Sequence, residues 1–244
     1  MSPEKIKVLT VDVSVLNLKS AAQAVLDSIK ARRKGYVCVT GVHGIIEAQD
    51  DESFRNILNH AFLCTPDGVP LVWVGRAQYG KSEMGRVYGP DLMWELFKIS
   101  DHQPIRHFFY GGKDGVADLL KDRLLQHFPS AIVAGTYCPP FRPLTADEEA
   151  ELAHQVQDAR PDIMWIGLST PKQERFMAAY LDKLDTTLMI GVGAAFDFYA
   201  GLVPQAPVWI QKSGLEWLYR LTKEPKRLWN RYSRIVPRFL FLIT

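Results

Sequence analysis

The chain has 244 residues, which suits one large domain or one domain with an appendage. Apolar residues make up 47% and charged residues 23%, which excludes a disordered chain and allows a sizeable core. The net charge of +2 decides nothing about partners, but its distribution does: residues 207–244 hold eight Lys or Arg against two acids, leaving residues 1–206 at −4.

An acidic body with a basic end predicts a polyanionic partner for that end. Three cysteines, Cys38, Cys64 and Cys138, lie far apart, as in a reducing cytoplasm rather than a disulfide framework or zinc knuckle. The start of the chain lacks the charge and apolar pattern of a secretory signal. No apolar run is long enough for a spanning helix, so the expectation is a cytoplasmic protein that can lie on a membrane without crossing it.

In chain order, Tyr36–Thr40 reads as a strand followed by a glycine-flanked turn and a helical stretch. Asp50 or Asp51 caps a helix running to about Ala61. Phe62–Thr65 is the next strand, ending at Pro66-Asp67-Gly68. Pro90 sits in the first turn of a helix that continues through Phe97. Then the pattern becomes regular. Arg106–Tyr110 is a strand, followed by Gly111-Gly112 and a helix to about His127. Ala131–Tyr137 is a strand, with a proline-rich loop and a helix capped by the Thr145/Glu148 box behind it. Asp162–Gly167 is a strand, after which Ser169-Thr170-Pro171 opens a helix with Ser169 as a good cap. Thr187–Gly191 is a strand, and Gly193 leads into Ala194–Tyr199.

Strand, glycine turn, helix, repeated: this is an α/β fold with a mainly parallel, Rossmann-like sheet flanked by helices. The expected division is a catalytic core over 1–206 and a basic helical appendage over 207–244. Ligands in such sheets bind beyond the carboxyl ends of the strands.

The residues at those ends carry the chemistry. Gly191-Val192-Gly193-Ala194-Ala195-Phe196 opens like a dinucleotide fingerprint, but Phe196 replaces the third glycine. A nicotinamide-dependent oxidoreductase is therefore an alternative resting on a broken motif. The plainer reading is a tight strand-to-helix turn, and a helix start that can receive a phosphate. Gly111-Gly112 and Gly167-Leu168-Ser169 make similar junctions. Asp67 reads first as a turn residue and second as a carboxylate at a strand end, able to act as a general base. Lys172 and Gln173 stand in the first turn after a strand. Arg86 lies between glycines, and a lone arginine there would ordinarily be a solvated surface charge. The six histidines show no ligand spacing, and most are expected at the surface or at helix ends. There is no phosphate loop, CxxC, HExxH, GxSxG or Asp-x-Asp, so no metal site and no cofactor is implied.

In the appendage, Arg220, Lys223, Arg227, Arg231, Arg234 and Arg238 recur three and four apart on one helical face. Trp217, Leu221, Leu228, Tyr232, Ile235 and Phe239 form a second stripe, roughly 100° around. Pro225 and Pro237 are expected to divide the helix. This pattern suits an anionic bilayer surface, most of all over Arg227–Phe241, whereas Trp209–Leu221 also suits core packing. A non-catalytic membrane-binding module is the remaining alternative. No nucleic-acid recognition motif accompanies the charge, so no nucleic acid is expected as a partner.

Five stretches in order resemble the WecG/TagA/CpsF family of bacterial glycosyltransferases. They are Thr65-Pro66-Asp67-Gly68, Arg86-Val87-Tyr88-Gly89-Pro90-Asp91-Leu92, Ser169-Thr170-Pro171-Lys172-Gln173-Glu174, the Gly191–Asp197 turn, and Gly214-Leu215-Glu216-Trp217-Leu218-Tyr219-Arg220. The resemblance spans nearly the whole chain from about Val37. It implies metal-independent, inverting transfer from a UDP-sugar donor to an undecaprenyl-diphosphate-linked saccharide acceptor. The setting it implies is the inner face of the cytoplasmic membrane, in cell-surface polysaccharide or exopolysaccharide assembly. It makes Asp67 the general base, puts Gln173 and Arg86 in the donor pocket, and brings Arg220, Arg227 and Arg231 onto the diphosphate. It also implies self-association to a homo-oligomer when the tail is undocked. Where many members carry Thr-x-Asn, this chain reads Val39-Thr40-Gly41 and then Val42-His43-Gly44, so Thr40 and His43 are expected to supply the polar contacts. Gln205 stands where a basic residue is common.

Overall fold

The protein is described by a computed structural model covering residues 3–243, with the side chain of Arg227 aside. An antiparallel hairpin of β1 (Lys5–Val8) and β2 (Val11–Ser14) opens the chain, followed by α1 (Leu18–Lys30), whose Asn17 cap and Ser20 form a reciprocal capping box. Then come β3 (Gly35–Thr40), α2 (Val42–Asp50), α3 (Glu52–His60), β4 (Leu63–Pro66), α4 (Val69–Tyr79) and α5 (Gly89–Ser100). The middle holds β5 (Arg106–Gly111), α6 (Val116–His127), β6 (Ile132–Tyr137), α7 (Ala146–Ala159) and β7 (Ile163–Gly167). The chain continues through α8 (Lys172–Tyr180), β8 (Leu188–Gly191), α9 (Ala195–Tyr199), α10 (Val208–Ser213), α11 (Glu216–Lys223) and α12 (Pro225–Ile243).

β3 to β8 form one parallel six-stranded sheet in the order β4-β3-β8-β7-β5-β6. Its strands are apolar on both faces because both are covered by helices, as parallel sheets require. In β3, Tyr36 and Cys38 enter one core with α2, α3, α7, α8 and the hairpin, while Val37 and Val39 enter the other with α1, α5, α6 and α9.

The α/β expectation therefore holds, with the six sheet strands where the pattern placed them to within a residue or two. Two local expectations need correcting. Ser169 does not cap α8: Pro171 occupies the cap position, and the Ser169 backbone carbonyl accepts from the N–H groups of Lys172 and Gln173 at 2.8 and 3.2 Å. Pro237 does not divide the tail. The helix runs through it to Ile243, because Pro237 and Ser233, whose carbonyl loses its partner, both face solvent.

One histidine departs from the surface expectation. His107 is fully buried on β5, between Trp165 and Ser100. The Trp165 indole N–H donates to His107 Nδ1 at 3.0 Å, so the ring's proton sits on Nε2 and points at Ser100 Oγ, 2.8 Å away. Ser100 in turn donates to the Leu96 carbonyl at 2.6 Å. Burial lowers the His107 pKa to about 3, so the ring stays neutral.

The apolar stripe of the tail lies on the body. Leu228, Ile235 and Phe239 are 1%, 9% and 5% exposed, and the last two join the core cluster beneath α2. Trp209, by contrast, is 70% exposed. Only one stripe of 227–241 packs: Trp229, Leu240 and Phe241 are 62%, 58% and 81% exposed, so both tail segments leave apolar side chains in solvent.

Candidate active site

The carboxyl ends of β3, β4, β7 and β8 open into a cavity of about 1500 Å³, roofed by α11 and α12. Five strand-to-helix junctions line it: Gly41 before α2, Asp67–Gly68 before α4, Lys113–Val116 before α6, Leu168–Thr170 before α8 and Val192–Ala194 before α9. Of the expected site residues, Thr40, His43, Asp67, Arg86, Gln173, Gly193, Arg220 and Arg231 all line this one space.

Asp67 stands between β4 and α4, its backbone N–H donating to the Thr40 carbonyl at 3.0 Å. Its Oδ1 is buried without a hydrogen-bond partner. Burial raises its pKa to about 7; Arg86 opposes that shift, and Glu216 adds to it. A carboxyl that titrates near neutrality at the edge of a cavity is equipped to take up a proton there.

Arg86 is not the solvated charge that its surroundings in the sequence suggest. Its side chain is 19% exposed, and its guanidinium binds three ways. Nε donates to the Asp67 backbone carbonyl at 2.6 Å, Nη1 to the Gln211 carbonyl at 3.3 Å, and Nη2 to Glu216 Oε2 at 2.5 Å. Nη2 also lies 3.9 Å from Asp67 Oδ1, and the guanidinium stacks over the Tyr88 ring at 4.1 Å. Glu216 belongs to the tail. It is a cavity-lining residue that the sequence reading did not single out, because there it counted only as one of two acids in a basic segment. The one available signal was its place in the Gly214–Arg220 motif.

Gln173 is 3% exposed, at the start of α8. Its Nε2 donates to Glu174 Oε1 at 3.0 Å, and Thr170 Oγ1 donates to the same oxygen at 2.8 Å. Glu174 thus fixes the amide, leaving Gln173 Oε1 buried, without a partner, beside the Gly193 turn. That oxygen is an acceptor suited to a ligand N–H or O–H. At Gly193 the φ of +49° favours glycine, and a Cβ would stand 3.5 Å from Gln173 Oε1.

Thr40 lines the floor, but its hydroxyl turns inward to the Cys38 carbonyl at 3.4 Å. His43 is neutral, its pKa lowered to about 4 by burial and then by Arg231. It can serve a ligand as a hydrogen-bonding group, not as a cation.

Two expected residues lie elsewhere. Gly111 does not line the cavity; its φ is +122°, and a Cβ would meet the Gly167 carbonyl oxygen at 2.7 Å, so its role is close approach of β5 to β7. Lys172 is exposed and borders a smaller cleft of about 200 Å³ with Phe141 and Phe196, which adjoins the main cavity across Lys113, Leu168, Ser169, Gly193 and Asp197. The side chain of Arg227 lies outside the described residues.

The tail's bases divide in the same way. Arg220 and Arg231 face the cavity, Arg238 pairs with Asp50, and Arg234 is exposed. Among the described residues, no three His, Cys, Asp or Glu side chains are grouped as a metal ion would require, and no helix is long and apolar enough to cross a membrane. The dinucleotide alternative fails on packing. Phe196 is buried, edge-on to Phe109, with its ring over Gly167 where a third glycine would leave the helix free to approach.

Comparison with known proteins identifies the family. One relative, the N-acetylglucosaminyldiphosphoundecaprenol N-acetyl-beta-D-mannosaminyltransferase of Bacillus spizizenii, is 30% identical over 210 residues, covering 86% of this chain and 79% of the relative. A protein of the same name from Bacillus subtilis (strain 168) is 28% identical over 193 residues, covering 79% and 72%. The sequence profile of the glycosyl transferase WecG/TagA/CpsF family matches residues 6–244. The chain belongs to the WecG/TagA/CpsF family and is a glycosyltransferase.

Proposed function

We propose that this enzyme moves a sugar, a hexose or an N-acetylhexosamine, from a UDP-sugar to the saccharide of a polyprenyl-diphosphate-linked acceptor. In this reading, residues 1–206 form the catalytic core, and 207–244 complete the site and hold it to the inner face of the cytoplasmic membrane. The observation that carries the reading is Asp67: a carboxyl raised to about 7, with a buried free oxygen, on a cavity that also holds Arg86, Arg220 and Arg231. The names of the two relatives support a lipid diphosphate acceptor.

The step is a single displacement. The acceptor hydroxyl oxygen attacks the anomeric carbon, and Asp67 takes its proton. The bond from that carbon to the diphosphate oxygen breaks, and UDP leaves with the electron pair. One attack from the face opposite the leaving group inverts the configuration. The leaving group's growing charge is met by Arg86 and Arg220, and that donor set supports metal-independent transfer. Asp67 then returns its proton to water. The buried Gln173 oxygen receives a donor group of the nucleotide sugar.

The test is Asp67→Asn. Loss of a general base lowers turnover by about 10²–10⁴-fold, while UDP affinity, measured by titration, stays within a small factor of the parent. Near-normal turnover in the variant refutes the assignment.

A further inference from the structure

The cavity has two chemically different ends. One holds Asp67, Arg86, Arg220 and Arg231. The other is a groove between α4 and α12. On α4, Val69, Trp73 and Ala77 line it at a spacing of four, which is one helix face. On α12, Val236, Leu240 and Ile243 form the opposite wall. Beyond Arg231, the described lining residues of these two walls carry no charge. Gln78 Nε2 donates to the Ile243 carbonyl at 3.0 Å and ties the walls together at the far end. Trp73 and Leu240, 57% and 58% exposed, mark where the groove reaches the surface. From Arg231 to Ile243 the α12 wall runs about 18 Å at the helical rise.

We propose that this groove holds the polyprenyl chain of the acceptor, with the acceptor's diphosphate at Arg231, where the α12 wall begins. The inference rests on the lipid-acceptor reading above and assigns a place to the lipid. Its basis is continuity and charge. The groove begins at the carboxylate that must meet the acceptor hydroxyl, so its occupant is joined to that substrate. An occupant with an anionic head and an uncharged chain matches both ends. A partner helix or a second copy of the chain would fill the apolar walls but offer no anion to Arg231 at their head.

The experiment uses the full-length protein and two acceptors with the same saccharide diphosphate, one on a long prenyl chain and one on a short alkyl chain that ends before the groove. The expected result is a kcat/KM at least tenfold higher for the long chain. Ala77→Trp and Val236→Trp fill the groove from opposite walls, and each is expected to bring the long-to-short ratio close to one. A ratio unchanged in both variants, whether the preference is absent or set by partitioning into vesicles, overturns the proposal. Thermal unfolding of each variant is measured first, and a variant that does not fold is replaced by Ala77→Phe or Val236→Phe, so the ratio is always read on folded protein. If the unmodified protein transfers to neither acceptor, the acceptor reading fails separately. Titration with a long-chain prenyl diphosphate then decides the groove: tighter binding than a short-chain analogue, lost in both variants, supports it, and equal binding overturns it.

Discussion

Glu216→Gln isolates the electrostatic link between the tail and the base. Glutamine keeps the size of the side chain and an acceptor oxygen for Arg86, so the docked geometry is preserved while one negative charge is removed. Arg86 Nη2 lies 2.5 Å from Glu216 Oε2 and 3.9 Å from Asp67 Oδ1, so the two carboxylates are at most about 6.4 Å apart. Two like charges at that separation repel by about 2.6 kcal/mol at an effective dielectric near 20, and by about 0.6 kcal/mol in bulk water. Those energies correspond to roughly two and roughly half a pK unit. Glu216 raises the Asp67 pKa, so its neutralisation lowers it from about 7. The assay is kcat/KM for sugar transfer against pH, whose acid limb reports the base of the free enzyme. In the parent, the rate rises through about pH 7 as Asp67 ionises. In the variant, the limb moves to lower pH by about 0.5 to 2 units. For a one-unit shift, the ionised fraction at pH 6 grows from about a tenth to about a half. A limb that stays in place, or moves up, refutes the reasoning: either Asp67 is not the group that sets it, or the tail's charge does not reach it.

Other perturbations test neighbouring parts of the structure. Deleting the chain from Arg220 onward is expected to abolish transfer even to a soluble acceptor; if only vesicle binding is lost, the tail is an anchor alone. Glu174→Gln frees the Gln173 amide to turn, and should weaken UDP binding by roughly 1 kcal/mol, or about fivefold, read by titration; unchanged affinity separates Glu174 from the site. His107 binds its proton only near pH 3 in the fold but at its ordinary value of 6.5 when unfolded. Stability is therefore intact above pH 6.5 and falls on acidification toward 3, by at most about 1.4 kcal/mol per pH unit. His107→Gln is expected to be less stable at pH 7 in urea unfolding, yet to lose less on going to pH 4.5; equal slopes refute the sign.

The sheet was legible because its strands are short apolar runs ended by glycine or, after β6, by a proline-rich loop, and that pattern is local. The hairpin Lys5–Ser14 was missed: Leu9 at φ +55° turns it without the glycine or asparagine that announces such turns. α4 was missed for a different reason. It is apolar nearly all round, with Leu71 and Val74 in the core and Trp73 and Ala77 on the cavity, so it shows no helical stripe. In the site, Asp67 and Gln173 were readable from their motifs. The Arg86–Glu216 pair joins residues 130 apart in sequence and could be seen only once the tail was placed.

The tail has a further consequence at the time the protein is made. Ile235 and Phe239 are the last members of a cluster that also contains Ile6, Val13, Ile45 and Phe54. They leave the ribosome after every other member. At about 5–20 residues per second, roughly two to seven seconds separate the end of the body at residue 206 from Phe239. During that interval the side of α2 that later receives Ile235 and Phe239 lies open. The substitutions most harmful to yield in the cell need not be those nearest Asp67; a polar residue at 235 or 239 would leave that face open for good.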